Sequence, residues 1–222
     1  MMKKLNLVLI FLSIFMLVLS PGNTPGSAQS ALAGKKVLID PGHGGSDPGS
    51  TECQALTEAD ANLDIARRLK ALIEADGGEG FLIRDGDYYM TNADRYNLAN
   101  EVGGDVLVSI HLNGWYDHTM NYTQGLYAKY RKDYLFTSVV HDSLAGALGI
   151  DDGGVRQFAS GVLLKSDMPA TLQEAVFISN TEECAKLTDG TGDRQQEIAN
   201  ALYQGLIAWF NDPQEFVPGK RK

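Results

Sequence analysis

Cysteine is nearly missing from this chain, with Cys53 and Cys184 the only two among 222 residues. They lack the paired CxxC-like spacing of a cysteine-based zinc site, which excludes that chemistry. A disulfide and a pair of buried thiols both fit the sequence, and neither assigns the two to catalysis. Basic residues are also short, 19 Lys and Arg against 28 Asp and Glu. That balance disfavours nucleic acid and anionic membranes as partners. Long apolar stretches are represented by Leu5 to Leu19, broken only by Asn6 and Ser13. It falls short of the ~20 residues that span a bilayer.

What is present at the N-terminus fits export. Lys3-Lys4 precede the apolar run, and a spacer rich in Pro, Gly and Ser follows it from Pro21 to Ser30. This is the pattern of a signal peptide, expected to be cut after Ala28, with Ala33 as the alternative site and an uncleaved anchor as the competing reading. No cysteine near the cut invites lipid attachment. The expected organisation is a signal peptide over 1–28, a linker over 29–34, one domain over 35–211 and a loose charged tail over 212–222. After cleavage the protein is expected in the periplasm, the cell wall or outside the cell, with no stable membrane partner. Loss of Lys3 and Lys4 takes 19 basic residues to 17, so the mature chain carries net −11.

Val37 to Ile39 forms a short apolar run that breaks at Asp40-Pro41-Gly42-His43-Gly44-Gly45, leaving an imidazole at a strand end. Thr57 to Asp76 has helical spacing of apolar residues, with Thr57 as its cap. Phe81-Leu82-Ile83 is a short strand, Asn92 to Val102 a helix, and Asp105 to Asn113 an apolar strand that also carries a histidine, His111, near its end. Strands are expected at Gly125–Tyr130, Val162–Leu164 and Thr171–Ile178, and helices at Tyr134–Leu148 and Arg194–Phe210. The alternation predicts a single α/β domain with a twisted, mostly parallel sheet covered by helices on both faces. Ligands of such folds lie in the crevice at the carboxyl ends of the strands, where His43 and His111 would meet.

Two histidines and one acid suffice for a catalytic zinc site with an open fourth position. Glu58, opening a helix just after the glycine loop, is the preferred acid, while Asp40, Asp47 and Glu52 remain competitors. Asp40 is expected to organise the turn around His43 or to accept its second ring N–H. Glu174 lies inside an otherwise apolar strand, where a carboxylate is costly to bury without a role, although alternation could equally turn it to solvent. Asn113, Trp115, Tyr116 and His118 follow the second histidine and are candidates for groove contacts. His141, within a helix, is expected to be structural. A phosphate-binding reading of the glycine loop fails, because the last glycine of GxGxxG is missing and no GKS/T follows.

Together, Asp40-Pro41-Gly42-His43-Gly44-Gly45 with Asp47-Pro48-Gly49, Leu56-Thr57-Glu58, Ser109-Ile110-His111-Leu112-Asn113, and Pro169 to Glu174 with Phe177-Ile178-Ser179-Asn180 resemble the zinc-dependent N-acetylmuramoyl-L-alanine amidases of type 3. The resemblance runs from residue 35 to residue 210. It implies Zn2+ on His43, Glu58 and His111, Glu174 as the catalytic glutamate, peptidoglycan as substrate, and cleavage between N-acetylmuramic acid and the L-alanine of the stem peptide. Some relatives carry an inserted helix that blocks the zinc until a partner withdraws it. Here Tyr130 to Asp133 runs straight into the next helix, so no activator protein is expected. No separate wall-binding domain is recognisable, so the groove itself is expected to supply most of the affinity. Two departures from the usual pattern, Gln173 before the glutamate and Leu112 after the histidine, are expected to bear on groove shape rather than on chemistry.

Overall fold

In the computed structural model, which describes residues 30–212, the first apolar run forms β1, Lys36–Pro41. It is followed by α1 (Glu58–Ala75), β2 (Glu79–Leu82), α2 (Asn92–Val102), β3 (Val106–Asn113) and β4 (Tyr122–Tyr127). Then come α3 (Tyr130–Ala147), β5 (Asp151–Gln157), α4 (Gly161–Lys165), β6 (Ala170–Phe177), α5 (Thr181–Leu187) and α6 (Asp193–Asn211). The strands form one sheet in the order β2-β1-β3-β6-β4-β5. Neighbours run parallel except β4 against β6, so β4 and β5 oppose the other four. The expected mostly parallel α/β domain is what is found.

Alternation along the central strands sends side chains into two cores. Val106, Val108, Ile110 and Leu112 of β3 join Val37 and Ile39 under α1, α3 and α6. Leu107 joins Leu38, Leu126, Ala170 and Leu172 on the opposite face, with Ala99 of α2 and Val162 and Leu163 of α4. Ser109 and His111 continue this second row toward the carboxyl end of β3. The crevice therefore opens on the face with the thinner helical cover.

Several elements depart from expectation. β4 lies three residues earlier than the expected strand, and α3 begins at Tyr130 instead of Tyr134, leaving only Ala128 and Lys129 between them. Val162 to Leu164 is a helical turn, not a strand: Val162 and Leu163 are both buried while Leu164 is exposed, and three apolar residues carry no period to separate the two. β5 and α5 have no counterpart among the expected elements. β5 reads Asp-Asp-Gly-Gly-Val-Arg-Gln and is largely exposed at the sheet edge, so it shows no apolar alternation. The side chain of Asn180 caps α5 by accepting from the amides of Glu182 and Glu183.

Residues 1–28, expected to form a signal peptide, and residues 213–222 of the expected tail lie outside the described residues. The described part of the expected linker is a turn whose Leu32 is fully buried in the larger core. No described helix is long and apolar enough to cross a membrane. Cys53 and Cys184 form a disulfide, which ties the loop after β1 to α5.

Candidate metal centre and its groove

Beyond β1 the backbone of His43 has φ 60, a conformation seldom adopted by residues other than glycine and costing ~1–2 kcal/mol. Two arginines hold the backbone there by its carbonyl oxygens. Arg95 donates through Nη1 to Pro41 O and through Nη2 to His43 O, at 2.7 and 2.6 Å. Arg84, fully buried, donates through Nη2 to Gly42 O at 3.2 Å and to Ala59 O at 3.0 Å. Asp40 neutralises Arg95 at 2.7 Å and takes a second hydrogen bond from Ser109 Oγ. Asp40 thus organises the turn through Arg95. The other expectation, that it pairs with the ring of His43, is overturned, because Nδ1 of His43 meets Asp47 at 2.9 Å.

Glu58, the first residue of α1, reaches the same point from the helix side. Its Oε1 lies 3.2 Å from His43 Nε2 and 3.1 Å from His111 Nδ1, and accepts from Leu112 N at 3.2 Å. Its Oε2 accepts from Ser50 N at 3.0 Å. The two imidazole rings stand nearly perpendicular, 4.9 Å apart between centroids. Glycine is needed beside them: a Cβ on Gly42 would come within 2.3–2.6 Å of the His111 ring. One potential ligand atom each from His43, Glu58 and His111 falls within 4.8 Å of the others, the one such cluster of three among the described residues.

The electrostatics bind the cluster together. Burial works to lower the His43 pKa, but Glu58 and Asp47 outweigh it and lift it to about 9. Burial likewise opposes charge on His111, yet contact with Glu58 raises its pKa. Glu58 is itself held well below the carboxylate range, because the two histidines overcome its burial. The three groups shift one another's pKa values, and their donor set, two imidazoles and one carboxylate with a side left free, suits a catalytic zinc.

Glu174 on β6 is register partner of His111 on β3. It faces the groove, not solvent, and its Oε2 is shut off from water without a hydrogen-bond partner among the described residues. Burial pushes its pKa up to about 7, against the opposing pull of His111. The groove, about 560 Å³, runs from these residues past Leu172 and Leu126 to Tyr89 on one wall and Arg156 and Phe158 on the other.

Of the remaining candidates, Asn113 lines the groove, whereas Trp115 lies beyond it, half-exposed and packed at a tilt against Tyr116, 4.8 Å between ring centroids. Glu52 sits outside the cluster, 3.4 Å from His118. His141 is buried within α3 and pairs with Asp152 at 2.7 Å, the structural role expected of it. Gln173 and Leu112 do not shape the groove. They point to the opposite face of the sheet, where Gln173 Nε2 bonds Thr171 Oγ1 at 2.7 Å and Leu112 joins the larger core. Arg84 and Arg95 were not anticipated. The available signal was a cation directly extending the apolar run Phe81-Leu82-Ile83, and another inside a helix.

The sequence profile of the N-acetylmuramoyl-L-alanine amidases matches residues 37–208. The chain belongs to this family. It is 30% identical over 209 residues to the N-acetylmuramoyl-L-alanine amidase LytC of Bacillus subtilis, covering 90% of this chain and 41% of that protein. It therefore spans less than half the length of that relative. The catalytic domain of the amidase CwlV from Bacillus (Paenibacillus) polymyxa var. colistinus superposes with a TM-score of 0.74 at 30% identity, over 80% of this chain and 98% of that one. The CwlD amidase of Clostridioides difficile, solved in complex with the GerS lipoprotein, gives 0.69 at 28% identity over 80% and 98%. These amidases share with the chain the α/β domain described above.

Proposed function

We propose that this amidase-family chain hydrolyses the amide joining N-acetylmuramic acid to the L-alanine of the peptidoglycan stem peptide, with Zn2+ held by His43, Glu58 and His111. The observation that carries this reading is the convergence of those three side chains beside Glu174, whose buried oxygen has no hydrogen-bond partner among the described residues. A bound zinc supplies a Lewis acid that lowers the pKa of a water and polarises a carbonyl. Asp47 holds Nδ1 of His43, which leaves Nε2 free to face the centre. Glu174, poised near neutrality, accepts the proton of the attacking water and returns it to the departing alanine nitrogen. The products are the lactyl carboxylate of the sugar and a stem peptide with a free amino group.

Asn113 is assigned to substrate contact within the groove, and Trp115, with Tyr116, to an aromatic surface at its end. The chain is exported by a signal peptide cut after Ala28, since a cut after Ala33 would remove the buried Leu32. It acts in the periplasm, the cell wall or outside the cell. No activator protein is assigned. The two residues between β4 and α3 leave no room there for a blocking helix, although the related CwlD was solved with a lipoprotein partner.

The test is mass analysis of purified muropeptides digested by the full chain with and without a chelator. Free stem peptides beginning with L-alanine, lost on chelation and restored by zinc, are expected. Cleavage between two amino acids of the stem would instead make the protein a peptidase, and intact muropeptides would make it a wall-binding protein.

A further inference from the structure

Sheet register places two rows of side chains on the groove floor. One joins His111 of β3, Glu174 of β6 and Gln124 of β4. The next, two residues earlier on β6, joins Ser109, Leu172, Leu126 and, at the edge strand, Arg156. The groove contains two arginines, and they differ in kind. Arg95 is buried and consumed by Asp40 and the carbonyls of Pro41 and His43. Arg156 stands exposed on the far wall beside Phe158, and its guanidinium has no ion pair or hydrogen bond among the described residues.

An unpaired guanidinium is unusual in a groove that also contains the carboxyl groups of Asp40, Asp47 and Glu174 and in a chain with net charge −9. Acidic side chains are plentiful, yet among the described residues none meets Arg156. From Glu174 to Arg156 is two strand spacings across and one pleat repeat along, roughly 12 Å between Cα atoms. An extended peptide leaving the scissile amide covers that in about three to four residues, and the length of the arginine side chain shortens the gap. The floor between the two is apolar, Leu172 and Leu126, and offers no competing charge.

We propose that Arg156 is a specificity residue that binds a carboxylate of the stem peptide a few residues from the scissile amide. The proposal rests on the amidase reading above and adds to it the direction of the peptide arm, from the metal centre across Leu172 and Leu126 to β5. A planar guanidinium engages a carboxylate by two parallel N–H···O bonds but gains far less from a neutral carboxamide. The protein therefore distinguishes stems that differ only in amidation.

The experiment compares kcat/KM of the full-length zinc-loaded protein on two synthetic muropeptides, identical except that the stem carboxylate is free in one and a carboxamide in the other. In wild type the free acid is expected to be favoured about tenfold, a modest value for a partly hydrated pair. Arg156→Ala should bring the ratio to about one, chiefly through KM, and Arg156→Lys should leave an intermediate ratio. Raising salt to about 0.5 M should shrink the wild-type preference. Equal ratios in wild type and Arg156→Ala, with both substrates turned over, would overturn the role of Arg156 and leave the amidase reading intact. Failure of wild type to cleave either muropeptide would remove the amidase reading and the proposal with it.

Discussion

Arg95 donates to the carbonyl oxygen of His43 at 2.6 Å, across 52 positions of sequence. The same guanidinium holds Pro41 O and pairs with buried Asp40, so α2 fixes the strained turn that presents the imidazole. Arg95→Ala should leave Asp40 buried without a counter-charge, costing about 3–5 kcal/mol of stability. It should also weaken zinc binding about 10–100-fold, as losses around a ligand generally do. Urea unfolding and zinc competition against a chelator read the two effects separately. Zinc affinity equal to wild type in the folded variant would show that the turn keeps its shape without Arg95.

Gly42 makes a sharper case, because its neighbours leave no volume. A methyl group there would sit within 2.3–2.6 Å of three atoms of the His111 ring. Gly42→Ala should therefore push His111 off Glu58 and lower bound zinc, while Gly146→Ala, whose Cβ would meet nothing within 4 Å, should leave metal content unchanged. Metal analysis of both proteins after dialysis checks the contrast.

His43, His111 and Glu174 were legible because each is a polar group in or just after an apolar strand, and burial there is costly without a purpose. The faces of β3 and β6 were legible by the same logic, whereas Gln173 and Leu112 looked like groove residues until the pleat placed them on the other side. β5 was hidden because an exposed edge strand needs no apolar alternation. Arg84 and Arg95 were hidden for another reason. The contacts by which they hold the turn, Arg84 to Gly42 O and Arg95 to His43 O, join main-chain carbonyls more than 40 residues away, and nothing in side-chain order records them.

The Cys53–Cys184 bridge anchors the loop between His43 and Glu58 to α5 across 131 residues. Replacing both cysteines by serine should cost about 2–4 kcal/mol of stability. Because Ser50 N in the same loop holds Glu58 Oε2 at 3.0 Å, the variant should also release zinc more readily. Denaturant unfolding with and without reductant, followed by a chelator titration, distinguishes a purely global loss from loosening at the metal centre.

Zinc bound at the cluster would compete with protons there, which sets a pH dependence. In the metal-free protein the His43 pKa, lifted from 6.5 to about 9 by Glu58 and Asp47 against its burial, adds stability that is complete below 6.5 and lost as pH rises through 9. Glu58, lowered from 4.5, adds stability present above 4.5 and lost as pH falls through its folded value. The metal-free fold should thus gain most from this cluster between pH 4.5 and 6.5. Zinc must displace the histidine protons, so its affinity should climb from pH 6.5 to 9. The holo-minus-apo difference in Tm should widen over that interval, and a flat difference would show that the cluster does not bind the metal.

Glu174 carries the opposite sign. Burial raises its pKa from 4.5 to about 7, so ionising it destabilises the metal-free fold, beginning above pH 4.5 and reaching its full cost above 7. Glu174→Gln keeps the shape and removes the charge. In chelator-treated protein the variant should be more stable than wild type at pH 8, by on the order of 2 kcal/mol, and close to it at pH 4.5. Loaded with zinc, the same variant should retain the metal and lose nearly all turnover on muropeptides. Stability gained where activity is lost is what a buried carboxylate kept for proton transfer requires. Near-wild-type turnover in Glu174→Gln, or a stability advantage over wild type no larger at pH 8 than at 4.5, would place the proton carrier elsewhere in the groove.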